Sequence, residues 1–501
     1  MNNKIQADFD LVNPDPSALV ESLRSFGYSL EASLADIIDN SIVADADDIQ
    51  IQFTWLGEKS KISIIDNGCG MTEAELINSM KPGSKNPLDE RDPKDLGRFG
   101  LGLKTASFSQ CRRVTVGSKA EGNNIVIRRW DLDYINQCKE WRLQRIDPKE
   151  DNIFSALDSM GHGTIVLWEQ MDRLVKGADK DDRKRENLFY KHIDKVKSHL
   201  SMVFHRFLEK QNSVKIQINN HPISPWDPFL KNHTATQHLP VEPIYFRGEK
   251  ITVRAYVLPH RSKMDDQTYE QAGGPGGWNA RQGFYIYRNN RLIVAGDWLG
   301  LGFRKETYTK LARILVDIPN SMDEYWKIDV KKSVARPPPQ LREDFQRIAR
   351  LTIDPATAVY RHRGRMVERQ TAGDFVFPWN TNVRDGNYFY TINRKHPLIA
   401  SVLNDPIQNK KKIEAMLRLI EETVPVPAII LNNMNNPDQI LRPFENSPSE
   451  ELLVVLEEIW NSLRDSGIDY NEAKRRIISM EPFCDYPQNV SVYLESKENE
   501  R

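Results

Sequence analysis

The stretch GRFGLGLKTAS, residues 97–107, restricts what this chain can fold into more than any other feature of its sequence. Closely spaced glycines followed by a lysine and a threonine are typical of loops whose backbone N–H groups bind phosphate at the start of a helix. A P-loop needs the lysine directly after the last glycine, but Leu103 separates Gly102 from Lys104. A dinucleotide fingerprint needs a third glycine where Thr105 stands. The stretch therefore predicts phosphate binding in a different fold.

Three other stretches carry residues that suit the same ligand. Asp36 and Asn40 stand at i and i+4 of a predicted helix, so a carboxylate and an amide oxygen share one face, as a hydrated Mg²⁺ and an attacking water require. DNGCGM (66–71) follows a predicted strand with an aspartate and two glycines, which let the backbone approach a flat ligand. GHGTIVLWE (161–169) presents Thr164 at the start of an apolar strand.

Each of these signals has an ordinary structural explanation when it stands alone. Asp36 and Asn40 could form an exposed helix face, the Asp66 motif could be a hairpin turn, and Thr164 could be a plain strand residue. Their order along the chain favours a site, because a long polar segment of lid type (81–97) precedes the glycine stretch. The combination predicts a nucleotide site.

In this order the motifs resemble those of the GHKL superfamily of ATPases, which includes gyrase B-type topoisomerases, heat-shock chaperones of the ninety-kilodalton class, histidine kinases and MutL. DNGCGM and GRFGLGLKTAS resemble most closely the corresponding motifs of bacterial relatives of MutL and the MORC proteins. The resemblance covers roughly residues 15–345. It implies a Bergerat-type α/β sandwich that takes ATP and Mg²⁺, followed by an α/β transducer-like domain.

The resemblance also assigns roles to individual residues. It implies that Asn40 holds Mg²⁺ and that Asp66 accepts a hydrogen bond from the adenine amino group. The residues that would line or complete the adenine pocket are Gly68, Gly70, Met71 and Thr164. Those expected around the triphosphate, with backbone N–H groups from the glycines and a charge from the lysine, are Gly97, Gly100, Leu101, Gly102, Lys104 and Thr105.

The catalytic position departs from the MutL-like pattern. A glutamate is expected there to orient the hydrolytic water, whereas this chain has Asp36. The missing methylene withdraws the carboxylate, and a misplacement of about 1 Å can lower a rate by about 10²-fold. Glu31 precedes Asp36 by five residues and faces elsewhere on the helix, so it is not expected to substitute. We therefore expect slow hydrolysis.

The transducer-like domain of such proteins supplies a lysine to the γ-phosphate. Residues 325–338, YWKIDVKKSVARPP, follow the last predicted strand of this domain and contain two candidates. Lys332 is the first choice and Lys331 the second, and a solvated surface lysine is the alternative for either of them.

Length and periodicity predict three domains. They are an ATP-binding domain (1–210), the transducer-like domain (211–345) and an α+β domain of unknown role (346–501). The second domain is predicted to hold four strands, which are 214–220, 250–259, 283–294 and 312–319.

Composition narrows the class of protein further. The formal net charge of −1 gives no global attraction to nucleic acid, although 360–370 and 393–397 are locally basic and could contact phosphates or simply be solvated. The four cysteines are too few for a disulfide framework and share no metal-ligand spacing. The first twenty residues contain no apolar core of signal-peptide length, and no stretch of the chain reaches the roughly 18 apolar residues of a membrane span. We expect a soluble cytoplasmic protein without membrane contact.

These observations lead to one main functional hypothesis and two alternatives. The main hypothesis is a conformational clamp that forms an ATP-dependent homodimer and acts with DNA and pathway partners, in DNA handling or in defence against foreign DNA. The alternatives are a chaperone-like ATPase that remodels proteins and an ATP-binding scaffold without turnover. A histidine kinase is disfavoured because residues 1–35 contain no histidine. The part after residue 370 shows no metal-binding nuclease motif, so no nuclease activity is expected.

Overall fold

A computed structural model represents the chain and divides it into two compact units, Met1–Arg365 and Met366–Arg501. The residues that it describes are 14–25, 27–84, 102–209, 214–327, 335–361, 379–384, 387–405, 409–425, 449–479, 483 and 487–499.

The first unit begins with a mixed sheet. Its strands are β1 (Asp48–Thr54), β2 (Lys61–Asp66), β3 (Arg113–Lys119), β4 (Val126–Asp131), β5 (Gln144–Arg145), β6 (Gly163–Glu169), β7 (Lys215–Ile218) and β8 (His221–Pro222). In the described part of the chain they form one sheet of eight strands in the order β5-β4-β3-β6-β2-β1-β7-β8. Only β1 and β7 pair in parallel among these described strands.

Helices cover this sheet. They are α1 (Pro16–Arg24), α2 (Leu30–Val43), α3 (Glu73–Met80), α4 (Gly102–Gln110), α5 (Leu132–Cys138), α6 (Ala156–Met160), α7 (Asp172–Val175), α8 (Arg183–Val203) and α9 (His205–Leu208). Side chains alternate between the two faces of each strand, and this alternation divides the core. The face under α2, α4 and α8 receives, from β2 and β6, Ile62, Ile64, Val166 and Trp168. The opposite face holds a smaller cluster of Ile65, Ile127, Phe154, Leu157, Ile165 and Leu167. This arrangement is an α/β sandwich, as predicted.

A second α/β block completes the first unit. Its elements are β9 (Gln237–Phe246), β10 (Glu249–Val257), α10 (Asp266–Gly273), α11 (Gly277–Ala280), β11 (Gly283–Arg288), β12 (Arg291–Asp297), β13 (Ala312–Ile318) and α12 (Arg342–Arg361). In the described residues its sheet has the order β12-β11-β13-β10-β9. Side chains from this sheet join the main core of the first block, and they are Tyr256, Tyr285, Tyr287, Leu292 and Leu315. The two blocks therefore share one apolar interior.

Two of the predicted strands of this block differ from the structure. The strand predicted at 214–220 forms β7 of the first sheet, where Ile216 and Ile218 are buried. The alternation predicted a half-buried strand correctly but could not say which sheet it joins. The strand predicted at 283–294 is a hairpin, because Asn289 and Asn290 take positive φ angles of 48° and 66° and turn the chain.

The second block ends in a long helix, α12. The predicted boundary at 345/346 falls inside α12, whose Phe345 and Ile348 are buried in the core of the second block. The first compact unit accordingly extends to Arg365. The predicted boundary at 210/211 lies within this unit and stays a prediction.

The second unit combines a hairpin with helices. Its elements are β14 (Trp379–Arg384), β15 (Asn387–Ile392), α13 (Pro397–Asn404), α14 (Lys410–Thr423), α15 (Ser449–Asp465), α16 (Tyr470–Ser479) and α17 (Pro487–Asn499). Its larger core cluster is formed by α15, α16 and α17 around Leu456 and Ala473. In the basic stretch 393–397, Arg394 forms an ion pair with Glu421. Among the described helices of the chain, none is long and apolar enough to cross a membrane.

Candidate functional site

Helix α2 carries two predicted site residues, the catalytic Asp36 and the Mg²⁺ ligand Asn40. Ser29 caps the helix, since its side chain accepts a hydrogen bond from the Ala32 N–H. Asp36 is 3% exposed, whereas Asn40, one turn later, is exposed. A Cβ placed on Gly102 would stand 4.0 Å from Oδ2 of Asp36. The structure therefore brings the Asp36 carboxylate next to the first turn of α4, which is the end of the glycine stretch.

Asp66 lies at the end of β2, opposite Thr164 of β6. Its carboxylate is 5% exposed and accepts hydrogen bonds from Ser41 Oγ of α2 at 2.8 Å and from the Gly68 N–H at 3.0 Å. Burial raises the pKa of the Asp66 carboxyl, and the hydrogen bonds that it accepts act in the opposite direction. Asp66 is thus a fixed hydrogen-bond acceptor that links the strand end to α2.

Ser118, at the end of β3, is a residue of this site that the sequence did not single out. Its hydroxyl accepts a hydrogen bond from the Met71 N–H at 2.9 Å and donates one to the Gly163 carbonyl at 3.0 Å. Thr164 Oγ1 lies 2.9 Å from Ser118 Oγ. Because the serine proton is directed to Gly163, the threonine hydroxyl is the donor in this arrangement. Ser118 stands in RVTVGS, where no motif marks it, so only strand pairing reveals it.

Two glycines of the predicted motifs occupy positions that a side chain could not. Gly70 has φ +69°, and a Cβ there would collide with the Lys119 carbonyl. Gly163 has φ +142°, and a Cβ there would collide with the carbonyl of Asp66. Both glycines therefore permit the close backbone approach that forms the wall beside Asp66. His162, whose role no sequence motif indicates, adds a polar contact, because its Nδ1 lies 2.7 Å from the Gly68 carbonyl.

Lys104 lies in α4 and is 3% exposed. Its Nζ donates a hydrogen bond to the Ser79 carbonyl at 2.8 Å, and the Trp130 indole N–H donates one to the Met80 carbonyl at 3.0 Å. The ammonium thus lies at the C-terminal end of α3, where helix carbonyls carry partial negative charge. Thr105, the next residue, is buried. A phosphate contact by either residue stays a prediction.

The remaining predicted site residues lie outside the described part of the chain. They are Gly97, Gly100, Leu101, Lys331 and Lys332. The described residues nevertheless suit a magnesium nucleotide. Mg²⁺ takes hard oxygen ligands, and it usually needs few protein donors because phosphates and waters supply the others. The exposed amide of Asn40 beside the Asp36 carboxylate offers such oxygens.

The fold is an α/β sandwich, and its site is of the kind expected for a nucleotide. Its signature is a buried strand-end aspartate beside a helix that carries a carboxylate and an amide. Residues 28–164 match the family described as "Histidine kinase-, DNA gyrase B-, and HSP90-like ATPase". This chain carries a GHKL-type ATPase domain.

Similar proteins include both chaperones and a MORC ATPase. The chaperone protein HtpG of Idiomarina loihiensis is 27% identical over 174 residues, which are 33% of this chain and 24% of that protein. HtpG of Bacillus velezensis is 35% identical over 96 residues, 18% of this chain and 15% of its own length. The ATPase morc-1 of Caenorhabditis elegans is 28% identical over 91 residues, 18% of this chain and 10% of that protein. The chain thus matches between a tenth and a quarter of the length of these relatives.

Proposed function

We propose that this chain binds Mg-ATP, hydrolyses it slowly, and uses the cycle to close and open a homodimeric clamp. The observation that carries the proposal is the hydrogen-bonded Asp66 carboxylate, joined through Ser41 to the helix that presents Asp36 and Asn40. A buried aspartate of this kind can accept a hydrogen bond from the adenine amino group, and the helix directs its oxygens toward the phosphates.

The chemistry assigned to the chain's own residues follows from their types. The Asp36 carboxylate orients the attacking water and accepts its proton, as a general base does. The Asn40 amide oxygen would hold Mg²⁺, which would supply positive charge to neutralise the phosphates. The backbone around Gly68, Gly70 and Met71, with Thr164, encloses the adenine. The short side chain of Asp36 makes hydrolysis slow, and Lys332 or Lys331 contacts the γ-phosphate.

The client of the proposed clamp is DNA, in its handling or in defence against foreign DNA. The similarity to the ATPase morc-1 favours this assignment. So does the resemblance of the motif sequences to those of MutL. The similarity to HtpG chaperones favours the second candidate, a protein-remodelling ATPase. A scaffold that binds ATP without turnover is the third, because Asp36 replaces the expected glutamate.

Phosphate release from purified protein with Mg-ATP tests the proposal. Wild type is compared with Asp36→Ala and Asn40→Ala, with and without duplex DNA. Glu31→Ala is the matched control, since Glu31 is a carboxylate on the same helix. We expect turnover that both site variants abolish, that Glu31→Ala retains and that DNA raises. ATP binding without turnover in wild type would instead favour the scaffold.

The clamp and its client are tested by light scattering and by binding. We expect the molar mass to double with Mg-ATP and to return to that of one chain with ADP. DNA binding should require ATP and weaken as salt concentration rises, because phosphate contacts release counterions. Stimulation of turnover by an unfolded protein and not by DNA would favour the chaperone-like alternative.

A further inference from the structure

The β11–β12 hairpin of the second block ends in a turn with an arginine on each side. Asn289 and Asn290 form the turn, and Arg288 and Arg291 are the cross-strand partners that flank it. Both arginines are buried, with 2% and 3% of their surface exposed. A buried guanidinium is stable only with well-placed acceptors, so the contacts of this turn require an explanation.

Arg291 reaches across to the helix of the candidate site. Its Nε lies 2.9 Å from Oδ1 of Asp39, whose side chain is 1% exposed. A second nitrogen of Arg291 donates to the Leu292 carbonyl at 2.8 Å, and the guanidinium carbon lies 4.8 Å from the centre of the Phe204 ring. Asp39 directly precedes Asn40 and follows Asp36 by three residues. The second block therefore holds α2 at the turn that carries the proposed general base and the proposed Mg²⁺ ligand.

Arg288 makes the corresponding contact on the other side of the turn. Its Nε lies 2.7 Å from Oδ1 of Asp323, and the two side chains are 3% and 6% exposed. Asp323 follows the short 3-10 turn Asn320–Met322, and the nearby Trp326 is fully buried. One hairpin turn thus joins α2 to the segment after β13 through two buried ion pairs.

Stability alone is a poor explanation for such pairs. Removing two charges from water offsets most of their attraction, and apolar replacements of buried pairs are often equally stable. What a buried pair does provide is a fixed geometry, since each partner has few alternative positions. Catalytic groups need positions that are correct within about 0.5 Å. The Asp39–Arg291 pair acts on the turn where this precision is needed.

We propose that Arg291 is a positioning residue for the ATPase reaction, because through Asp39 it fixes the turn of α2 that carries Asp36 and Asn40. The proposal deepens the proposed function and rests on it where turnover is the readout. Asp66 and Thr164 lie on strands of the first sheet, and Asp66 accepts a hydrogen bond from the Gly68 N–H as well as from Ser41 of α2. Loosening this turn should therefore lower turnover more than ATP affinity.

The test compares Arg291→Met with a matched control, Arg206→Met. Arg206 of α9 also joins the two blocks through an ion pair, at 2.5 Å from Asp317, and also stacks on an aromatic ring, that of Tyr287. In the described part of the chain, the ion pair and ring contact of Arg206 do not involve α2. We expect Arg291→Met to lower kcat at least tenfold with the ATP dissociation constant within threefold of wild type. Arg206→Met should keep kcat within twofold.

Hydrogen exchange makes the test independent of catalysis. In the nucleotide-free protein, Arg291→Met should speed amide exchange in residues 36–43 at least tenfold, and Arg206→Met should not. If wild type shows no turnover, the proposed hydrolysis fails, and the exchange result alone decides the positioning role. Equal exchange in this segment for wild type and Arg291→Met would overturn the proposal.

A double variant covers the case in which Arg291→Met does not fold. Asp39→Leu with Arg291→Met replaces the ion pair by an apolar contact and is expected to fold, because it leaves no charge buried alone. Its turnover should stay at least tenfold below wild type, with faster exchange in residues 36–43. Wild-type turnover and exchange in the double variant would overturn the proposal. An apolar contact would then hold the turn of α2 as well as the ion pair does.

Discussion

The two sides of the candidate site are held in different ways. On the proposed adenine side, the polar groups bond to one another within one sheet and its adjoining helix. They are Ser41, Asp66, Gly68, Ser118 and Thr164. On the proposed phosphate side, Asp36 and Asn40 lie on α2, which the second block holds through Arg291. The adenine side thus has contacts that need only the first sheet and its loops, such as those of Ser118 with Met71 and Gly163. Asp36 and Asn40, in contrast, both lie on a helix that a distant part of the chain holds.

The same contrast has a functional meaning. In the proposed mechanism, a preformed adenine side gives nucleotide affinity in every state of the protein. A phosphate side that depends on the second block can respond to movements of that block, because its geometry changes when α2 shifts. Variants on the two sides should therefore affect turnover and affinity separately.

The largest expected effect is that of Asp36→Asn on turnover. The amide has the shape of the carboxylate but cannot accept a proton, and general bases contribute about 10² to 10⁴-fold. We expect kcat to fall by at least about 10²-fold, while ATP affinity, measured by calorimetry, stays within threefold. Unchanged kcat would show that Asp36 is not the general base. The proposed difference between the two sides of the site would then lose its catalytic half.

Asp66→Asn should show the opposite pattern. Hydrogen bonds to a charged group contribute about 1.5–3 kcal/mol, so the loss of the carboxylate should weaken ATP binding by about 10- to 100-fold. At saturating ATP, kcat should remain within threefold of wild type. The control is Asp158→Asn, which changes an exposed aspartate on α6. An Asp66 variant with full ATP affinity and lower kcat would show that Asp66 serves turnover and not nucleotide binding, which contradicts the assignment of the two sides.

The sequence predicted the α/β sandwich of the first block, whereas the nucleotide contacts assigned to its motifs stay a prediction. The order of the motifs along the chain was sufficient for the fold, because Asp66 ends a strand, Thr164 lies at the start of one, and Asp36 and Asn40 share a helix face. It could not predict Ser118, since a serine in a strand carries no signal until β3 pairs with β6. Nor could it predict the Asp39–Arg291 pair, whose members are 252 residues apart. Such contacts depend on tertiary packing.

The adenine side should also be sensitive to a single methyl group. In Gly163→Ala the new Cβ collides with the backbone carbonyl of Asp66 at φ +142°. We expect the free energy of unfolding to fall by about 1–3 kcal/mol, measured by urea titration, with weaker ATP binding. Gly161→Ala is the control in the same turn, because its φ is +80° but no atom lies within 4 Å of the new Cβ. Equal losses in the two variants would show that backbone strain, and not the contact with Asp66, limits the site.

The smallest expected effect concerns His199 of α8, beside the contact that holds the phosphate side. Loss of solvation and the charges of Arg291 and Arg281 lower the pKa of its imidazole to about 3, although Asp39 acts in the opposite direction. A folded pKa below the unfolded value means that the unfolded chain binds the proton first, so stability falls as pH drops from about 6.5 toward 3. Between pH 7 and pH 5, we expect His199→Gln to lose about 1–2 kcal/mol less unfolding free energy than wild type, measured by urea titration. His221→Gln, at an exposed histidine, should lose as much as wild type. If His199→Gln loses as much unfolding free energy as wild type, His199 can be protonated in the folded protein. The contact between the two blocks would then be looser, and α2 less rigidly held, than the Asp39–Arg291 pair implies.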